Sequence, residues 1–154
     1  MKKNEAFQAD YASPLGRLRV SGQGAVISGI SMVSGKRAPG TLPAAVRRSL
    51  DLYFSGKKQR KAGRFSFKGT PLQEKVWKTL STIPWGENIS YAELARRVKE
   101  PTAVRAVASA VGRNPVAILI PCHRVIGSDG SLRGYAYGLK KKAWLLAHER
   151  RVHG

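Results

Sequence analysis

The chain is poor in three things, and each shortage narrows what it can be. It holds one cysteine in 154 residues. That excludes an internal disulfide and any cysteine-rich zinc site, and it suits a reducing compartment. Acidic residues are scarce: Asp and Glu number 9 against 28 Lys and Arg, a formal net charge of +19. Long apolar runs are missing too, so nothing in the sequence reads as a bilayer span. The opening MKKNEAFQAD has two lysines with no apolar stretch behind them, unlike a signal peptide. The expectation is a globular, cytoplasmic protein, associated with the nucleoid if bacterial. The three histidines, His123, His148 and His153, show no metal-ligand spacing.

A charge of +19 attracts polyanions over long range. Nucleic acid is the leading partner, through phosphate neutralisation and counterion release. An anionic membrane fits less well, because no basic helix carries a wide apolar face. A merely solvated basic surface is the plain alternative.

The first third reads as β structure followed by a helix. SPLG, at 13–16, is a turn signal, and SGQG, at 21–24, separates the apolar pieces Leu18–Val20 and Ala25–Met32 as in a hairpin. Leu42, Val46, Leu50 and Tyr53 recur at helical spacing. Ser55–Arg64 is basic and lacks large apolar residues until its end, as an exposed linker would.

The rest is more helical. Thr70, Pro71 and Gln73 form a capping-box signature, with Leu72, Val76, Leu80 and Ile83 on one face and Pro84 as the stop. Ser90 and Glu93 predict a second box, with Ala92, Leu94 and Val98 facing inward. Thr102 is expected to cap a third helix, Ala103–Val111. Two short helices across a tight break read as helix-turn-helix. The second is rich in alanine, with Arg105 its only long charged side chain. Asp129-Gly130 predicts a tight, wing-like hairpin. A last helix runs Leu139–Glu149, with Lys140, Lys141 and Lys142 at its start read as solvated or near phosphate.

Cys122 stands directly before His123, after the apolar run Val116–Ile120. A shielded thiol beside an imidazole suits a nucleophile, although many free cysteines only pack. Side chains of adjacent strand residues point to opposite faces, so His123 would reach the thiol through a water. Glu149, in the last turn of its helix, sits where the macrodipole disfavours an anion, which suggests a specific cationic partner: His123, or, as the plain alternative, Arg150 or Arg151.

NPVAILIPCHRVIGSDGSLRGYA, preceded by GTPLQEKVWKTLSTIPWGE and SYAELA and followed by WLLAHE, closely resembles the O6-alkylguanine-DNA alkyltransferases. The resemblance runs from about Gly69 to Glu149. It implies an α+β protein: a small α/β, ribonuclease-H-like domain over 1–67 with an antiparallel sheet and a basic linker near 55–64, then an alkyltransferase domain with a winged helix-turn-helix over 68–154. It implies a monomer that binds duplex DNA through the minor groove, flips out an alkylated guanine and transfers the alkyl group irreversibly to Cys122. O4-alkylthymine is the less certain substrate. No cofactor and no metal are expected, since substrate and cysteine carry the reacting groups and the zinc-binding cysteines of some relatives are missing.

Residue by residue, the resemblance makes Cys122 the nucleophile, His123 its base and Glu149 the residue that orients His123. Asn114 would hold the cysteine segment, and the Tyr91 hydroxyl would assist the leaving guanine. Arg105 would plug the stack, with Ala106, Ser90, Thr102 and Arg113 at the DNA. Tyr91, Val111, Val125, Tyr135, Ala136 and Tyr137 would line the base pocket. Ala136 stands where relatives often have serine, so only its backbone N–H could donate there. Tyr137 stands where some have glycine, which should disfavour bulky adducts such as benzyl.

Overall fold

The computed structural model describes residues 5–57 and 63–151. The N-terminal lysines, residues 58–62 of the basic stretch and His153 lie outside them. The architecture is mixed α+β and divides into two compact units. One comprises Met1–Phe67 with Pro115–Leu119; the other comprises Lys68–Asn114 with Ile120–Gly154.

In the first unit, β1 (Ala6–Ser13), β2 (Gly16–Gln23) and β3 (Val26–Val33) form an antiparallel meander. Both hairpin turns occupy two residues, and SPLG closes the first. SGQG is mostly strand instead, because pairing with β1 continues to Gln23. Alternation places Ala9, Tyr11, Leu18 and Val20 on the buried face. On β3 the buried residues are Ile27 and Ile30, three apart rather than two. A register shift opposite Ser21/Gly22 inserts the extra residue. Gly22 is required there, because a Cβ would collide with the Val26 carbonyl.

Helix α1 (Ala44–Phe54) buries Val46, Leu50 and Tyr53. The Tyr11 hydroxyl donates to Asp51 at 2.6 Å, joining sheet to helix. The basic stretch does not end as a loop: Arg64–Phe65 forms β4, parallel to β3. Further along β3, Ile30 exchanges backbone bonds with Pro115 and Ala117. The run Val116–Ile120 is thus buried, as expected, but it is a turn with one bridge rather than a strand. Ile118 sits at φ 73°, an uncommon place for a β-branched residue.

The second unit begins with α2 (Pro71–Leu80), which has a complete capping box between Thr70 and Gln73. It stops at Leu80, before Pro84, and buries Trp77, whose indole donates to the Ala110 carbonyl at 2.8 Å. After β5 (Ile89–Ser90), helix α3 (Tyr91–Arg97) starts with Ser90 accepting from the Glu93 N–H. The second box is only half made. Glu93's carboxylate bonds Arg96 and Arg97 instead. Leu94, Ala95 and Val98 are buried, whereas Ala92 is half-exposed.

Helix α4 (Val104–Gly112) begins after Ala103, and no side chain caps it. Thr102 is exposed and not the cap. The break before it explains the offset. Lys99 N–H bonds Arg96 O, Glu100 N–H bonds Ala95 O, and Lys99 is left-handed at φ 63°. This is a Schellman stop built without glycine. Strand β6 (Val125–Ile126) pairs with β5 in parallel. The Asp129-Gly130 turn forms, closed by Gly127 N–H to Ser131 O and by Asp129 accepting from Ser131 N–H. No ladder spans it among the described residues, so the expected hairpin is a turn only. Helix α5 (Leu139–Arg151) completes the unit.

These caps make a matched test. Thr70→Ala should lower unfolding free energy by about 1 kcal/mol, while Thr102→Ala should cost under about 0.5 kcal/mol in the same urea titration. Lys99→Gly should stabilise by roughly 0.5–1 kcal/mol, since only glycine adopts that backbone freely.

Candidate functional site

Cys122 and His123 do not occupy a strand. Cys122–Arg124 is one turn of 3-10 helix, so the opposite-face argument does not apply. Cys122 keeps 8% of its surface exposed and His123 none. Asn114 holds the approach: its amide donates to the Ile120 carbonyl at 2.8 Å and also bonds the Cys122 side chain.

His123 Nε2 lies 2.6 Å from Glu149 Oε2. An ionised carboxylate only accepts, so Nε2 carries the proton and Nδ1 presents its lone pair. Nδ1 is buried and has no hydrogen-bond partner among the described residues. Burial holds the imidazole below its ordinary pKa despite the carboxylate. The result is a neutral base with one free acceptor.

The cationic partner of Glu149 is neither Arg150 nor Arg151. It is Arg124, whose Nε donates to Oε1 at 2.8 Å and whose second amine donates to Oε2 at 3.1 Å. A third Arg124 nitrogen donates to the Ile83 carbonyl at 2.6 Å, and the guanidinium lies over the Trp85 ring. Burial opposes the Glu149 charge, but His123 and Arg124 outweigh it, leaving the carboxyl well below the usual range.

Lys142 is the second correction. It is fully buried, not solvated. Its ammonium donates to Val125 O at 2.6 Å, Arg133 O at 2.7 Å and Gly134 O at 3.1 Å. Arg133 O also accepts the Tyr91 hydroxyl at 2.9 Å. Both missed residues left a signal. Lys142, Leu145, Leu146 and Glu149 recur at helical spacing and form the buried stripe of α5, and Arg124 is the one charge in an otherwise apolar string.

Burial pushes the Cys122 thiol up; the Asn114 bond, the Lys142 charge and nearby backbone N–H groups pull it down without overcoming that rise. Tyr91 and Tyr135 are likewise pushed up, first by burial and then by the Cys122 charge. Among the described residues the buried Tyr135 hydroxyl has no hydrogen-bond partner, and its ring meets Tyr137 edge-on at 5.8 Å. Val111 and Val125 are buried, whereas Ala136 is exposed. Arg105, Ala106, Ser109 and Gly112 on α4 and Arg113 just after it are exposed: two arginines flank small residues. Ser90 is half-buried at the start of α3. Among the described residues, no three His, Cys, Asp or Glu gather to hold a metal, and no helix is long and apolar enough to cross a membrane.

Comparison with known proteins identifies the family. Residues 71–151 match the family model for the 6-O-methylguanine DNA methyltransferase DNA-binding domain. The chain belongs to the 6-O-methylguanine DNA methyltransferase family. A Mycobacterium leprae methylated-DNA–protein-cysteine methyltransferase is 44% identical over 146 residues, spanning 90% of this chain and 88% of its own. The crystal structure of the Mycobacterium tuberculosis O6-methylguanine methyltransferase matches at TM-score 0.85 and 37% identity, covering 97% of this chain and 95% of that one. The Mycobacterium tuberculosis protein solved in complex with DNA matches at TM-score 0.82 and 38% identity, over 93% and 92% of the two chains.

Glu149 carries the acid sensitivity of this methyltransferase site. Its depressed pKa contributes stability that is present above the unfolded carboxyl value of about 4.3 and lost as pH falls through the folded value. Glu149→Gln should destabilise by about 3–5 kcal/mol near neutrality, because Arg124 is left buried without its anion. The penalty should shrink in urea titrations at progressively lower pH.

Proposed function

We propose that the chain repairs O6-alkylguanine in duplex DNA, and less surely O4-alkylthymine, by one irreversible transfer to Cys122. The observation that carries this reading is the buried His123–Glu149 pair beside the cysteine, with an unpartnered acceptor at Nδ1. A water between the Cys122 thiol and Nδ1 would pass the proton to His123. The thiolate attacks the alkyl carbon, a carbon–sulfur bond forms and the carbon–O6 bond breaks. The guanine leaves with its electrons and takes up a proton. Tyr91 supplies a hydrogen bond to the departing base by turning its hydroxyl away from the Arg133 carbonyl. The thioether formed on Cys122 is stable to hydrolysis, so in this reading the protein acts once.

The exposed face of α4 fits the DNA role. Ala106, Ser109 and Gly112 let backbone approach a minor groove, while Arg105 is long enough to fill the gap left by a flipped nucleotide. Ser90, Thr102 and Arg113 contact phosphates in this reading, and α3–α4 with the 127–131 turn serves as a helix-turn-helix with a reduced wing. Val111, Val125, Tyr135, Ala136 and Tyr137 line the base pocket with Tyr91. Residues 68–154 are the alkyltransferase domain, residues 1–67 a small ribonuclease-H-like domain, and the protein works as a cytoplasmic monomer.

Incubation with methylated duplex, followed by intact-protein mass spectrometry, should add one methyl group on Cys122 and then stop. Tight lesion binding without that gain, or product in excess of protein, would sink the reading. Cys122→Ser should keep DNA affinity and lose transfer. Arg105→Ala should impair repair of duplex far more than of free base, and affinity should fall steeply with salt.

A further inference from the structure

Ile83–Glu87, the IPWGE string, lies against the buried charges of the second unit without touching the cysteine turn's reacting atoms. Ile83 is buried beyond the end of α2. Pro84–Glu87 then forms a turn in which the Glu87 N–H donates to the Pro84 carbonyl at 3.1 Å. Gly86, third in that turn, has φ 80°, while Trp85 keeps an ordinary negative φ. That is a type II turn, which favours glycine at its third position. The turn sets the Trp85 side chain, half-buried, against the end of α5.

There Trp85 meets Glu149, Arg124 and His148. Its indole N–H donates to the Glu149 carbonyl at 3.0 Å. That carbonyl belongs to the last turn of α5, where helix carbonyls lack partners within the helix. The Arg124 guanidinium lies over the indole ring, 6.0 Å from its centroid, and donates to the Ile83 carbonyl at 2.6 Å. The ring meets His148 edge-on at 5.7 Å, and His148 stacks on Trp144. Residues 83 and 85 thus grip Arg124 with a carbonyl and an aromatic face. Arg124 needs that grip, because its side chain keeps 10% of its surface exposed where Glu149 keeps 1%. Were water to draw the guanidinium off, the Glu149 charge would favour a second proton on His123. Nδ1 would then carry a hydrogen and could no longer accept one.

We propose that Trp85 is a positioning residue for the His123 base: it holds Arg124 on Glu149 and shields the pair from water, so that arginine, and not a second proton on the imidazole, neutralises the carboxylate. Trp85 acts through Arg124 and Glu149. The proposal deepens the methyltransferase reading and rests on it for its catalytic meaning. The imidazole is held down first by burial and then, against the pull of Glu149, by the charges of Arg124 and Lys142. Cys122 beside it is a thiol pushed up by burial. Loosening Arg124 weakens one of the two cations, and water entering at its side relieves burial. Both changes raise the imidazole pKa.

The titration of His123, followed by NMR on the full chain without DNA, tests it. Trp85→Leu removes both the ring and the N–H. The His123 midpoint should rise by about half a pH unit, a roughly threefold gain in proton affinity. Trp85→Phe keeps a ring face and drops only the N–H, and it should return most of that shift. A midpoint unmoved in a folded Trp85→Leu protein overturns the proposal. So does a Trp85→Phe midpoint raised as far as that of Trp85→Leu. Should Trp85→Leu fail to fold, Trp85→Met takes its place, with the same expectation and the same overturning result. Methyl transfer is measured separately, in single turnovers with methylated duplex. The acid limb of the rate should move up with the His123 midpoint in the leucine variant, and an acid limb that stays in place overturns the proposal. A native chain that takes no methyl group refutes the methyltransferase reading, while a His123 midpoint that still moves with Trp85 leaves the positioning of the imidazole standing.

Discussion

The carboxylate of Glu149 is the anion around which the second unit is organised. It lies in the last turn of α5, an unfavourable end for negative charge, and it is almost wholly buried. Arg124 makes this tolerable. Its fork spans both carboxylate oxygens and reaches on to Ile83, so one residue of the 3-10 turn ties α5 to the segment after α2. The permanent charge of arginine has a further effect. It neutralises Glu149 without drawing a proton onto His123, and the imidazole can remain neutral with an open acceptor. A second histidine at position 124, which titrates near neutrality, could not do both.

The same unit solves a backbone problem. Much of the backbone around Cys122 is irregular, so several of its carbonyls have no ladder partner. Side chains answer for them. Asn114 takes Ile120, Arg124 takes Ile83, and Lys142 takes Val125, Arg133 and Gly134. Each of these side chains also acts on Cys122, His123 or Glu149. Loop shape and site electrostatics are therefore set by the same three polar groups, and neither can change without the other.

This economy explains what was legible in the sequence. The Thr70 capping box could be read directly because every partner lies within three residues. The Ser90 box was half right because Arg96 and Arg97, one turn on, compete for the same Glu93 carboxylate. Thr102 failed as a cap because a left-handed Lys99 moves the helix start by one residue, and non-glycine Schellman stops have no strong local signature. The pairing of Cys122, His123 and Glu149 came from family resemblance; strand periodicity argued wrongly, since a 3-10 turn has three residues per turn, not two. Arg124 and Lys142 were missed for one shared reason. Their burial depends on carbonyls and carboxylates far along the chain, and a charged residue looks solvated until those partners are known. Lys140 and Lys141 concealed Lys142 further, by making a stripe position look like part of a run.

The large surface charge and the Lys142 ammonium, the single buried one among the described residues, act over different ranges. Surface lysines and arginines draw in a polyanion over distances of several ångströms, but salt screens them within about 10 Å and water weakens them at contact. DNA that arrives this way brings phosphates, whose field makes a nearby thiol harder to ionise. Counteracting that locally requires positive charge on the protein side of the sulfur, in a medium of low dielectric where screening ions do not reach. A net charge of +19 on the outside cannot supply it. Lys142 is buried positive charge of that kind, held by three carbonyls, and because Val125 carries one of them it is tied to the turn that holds the cysteine.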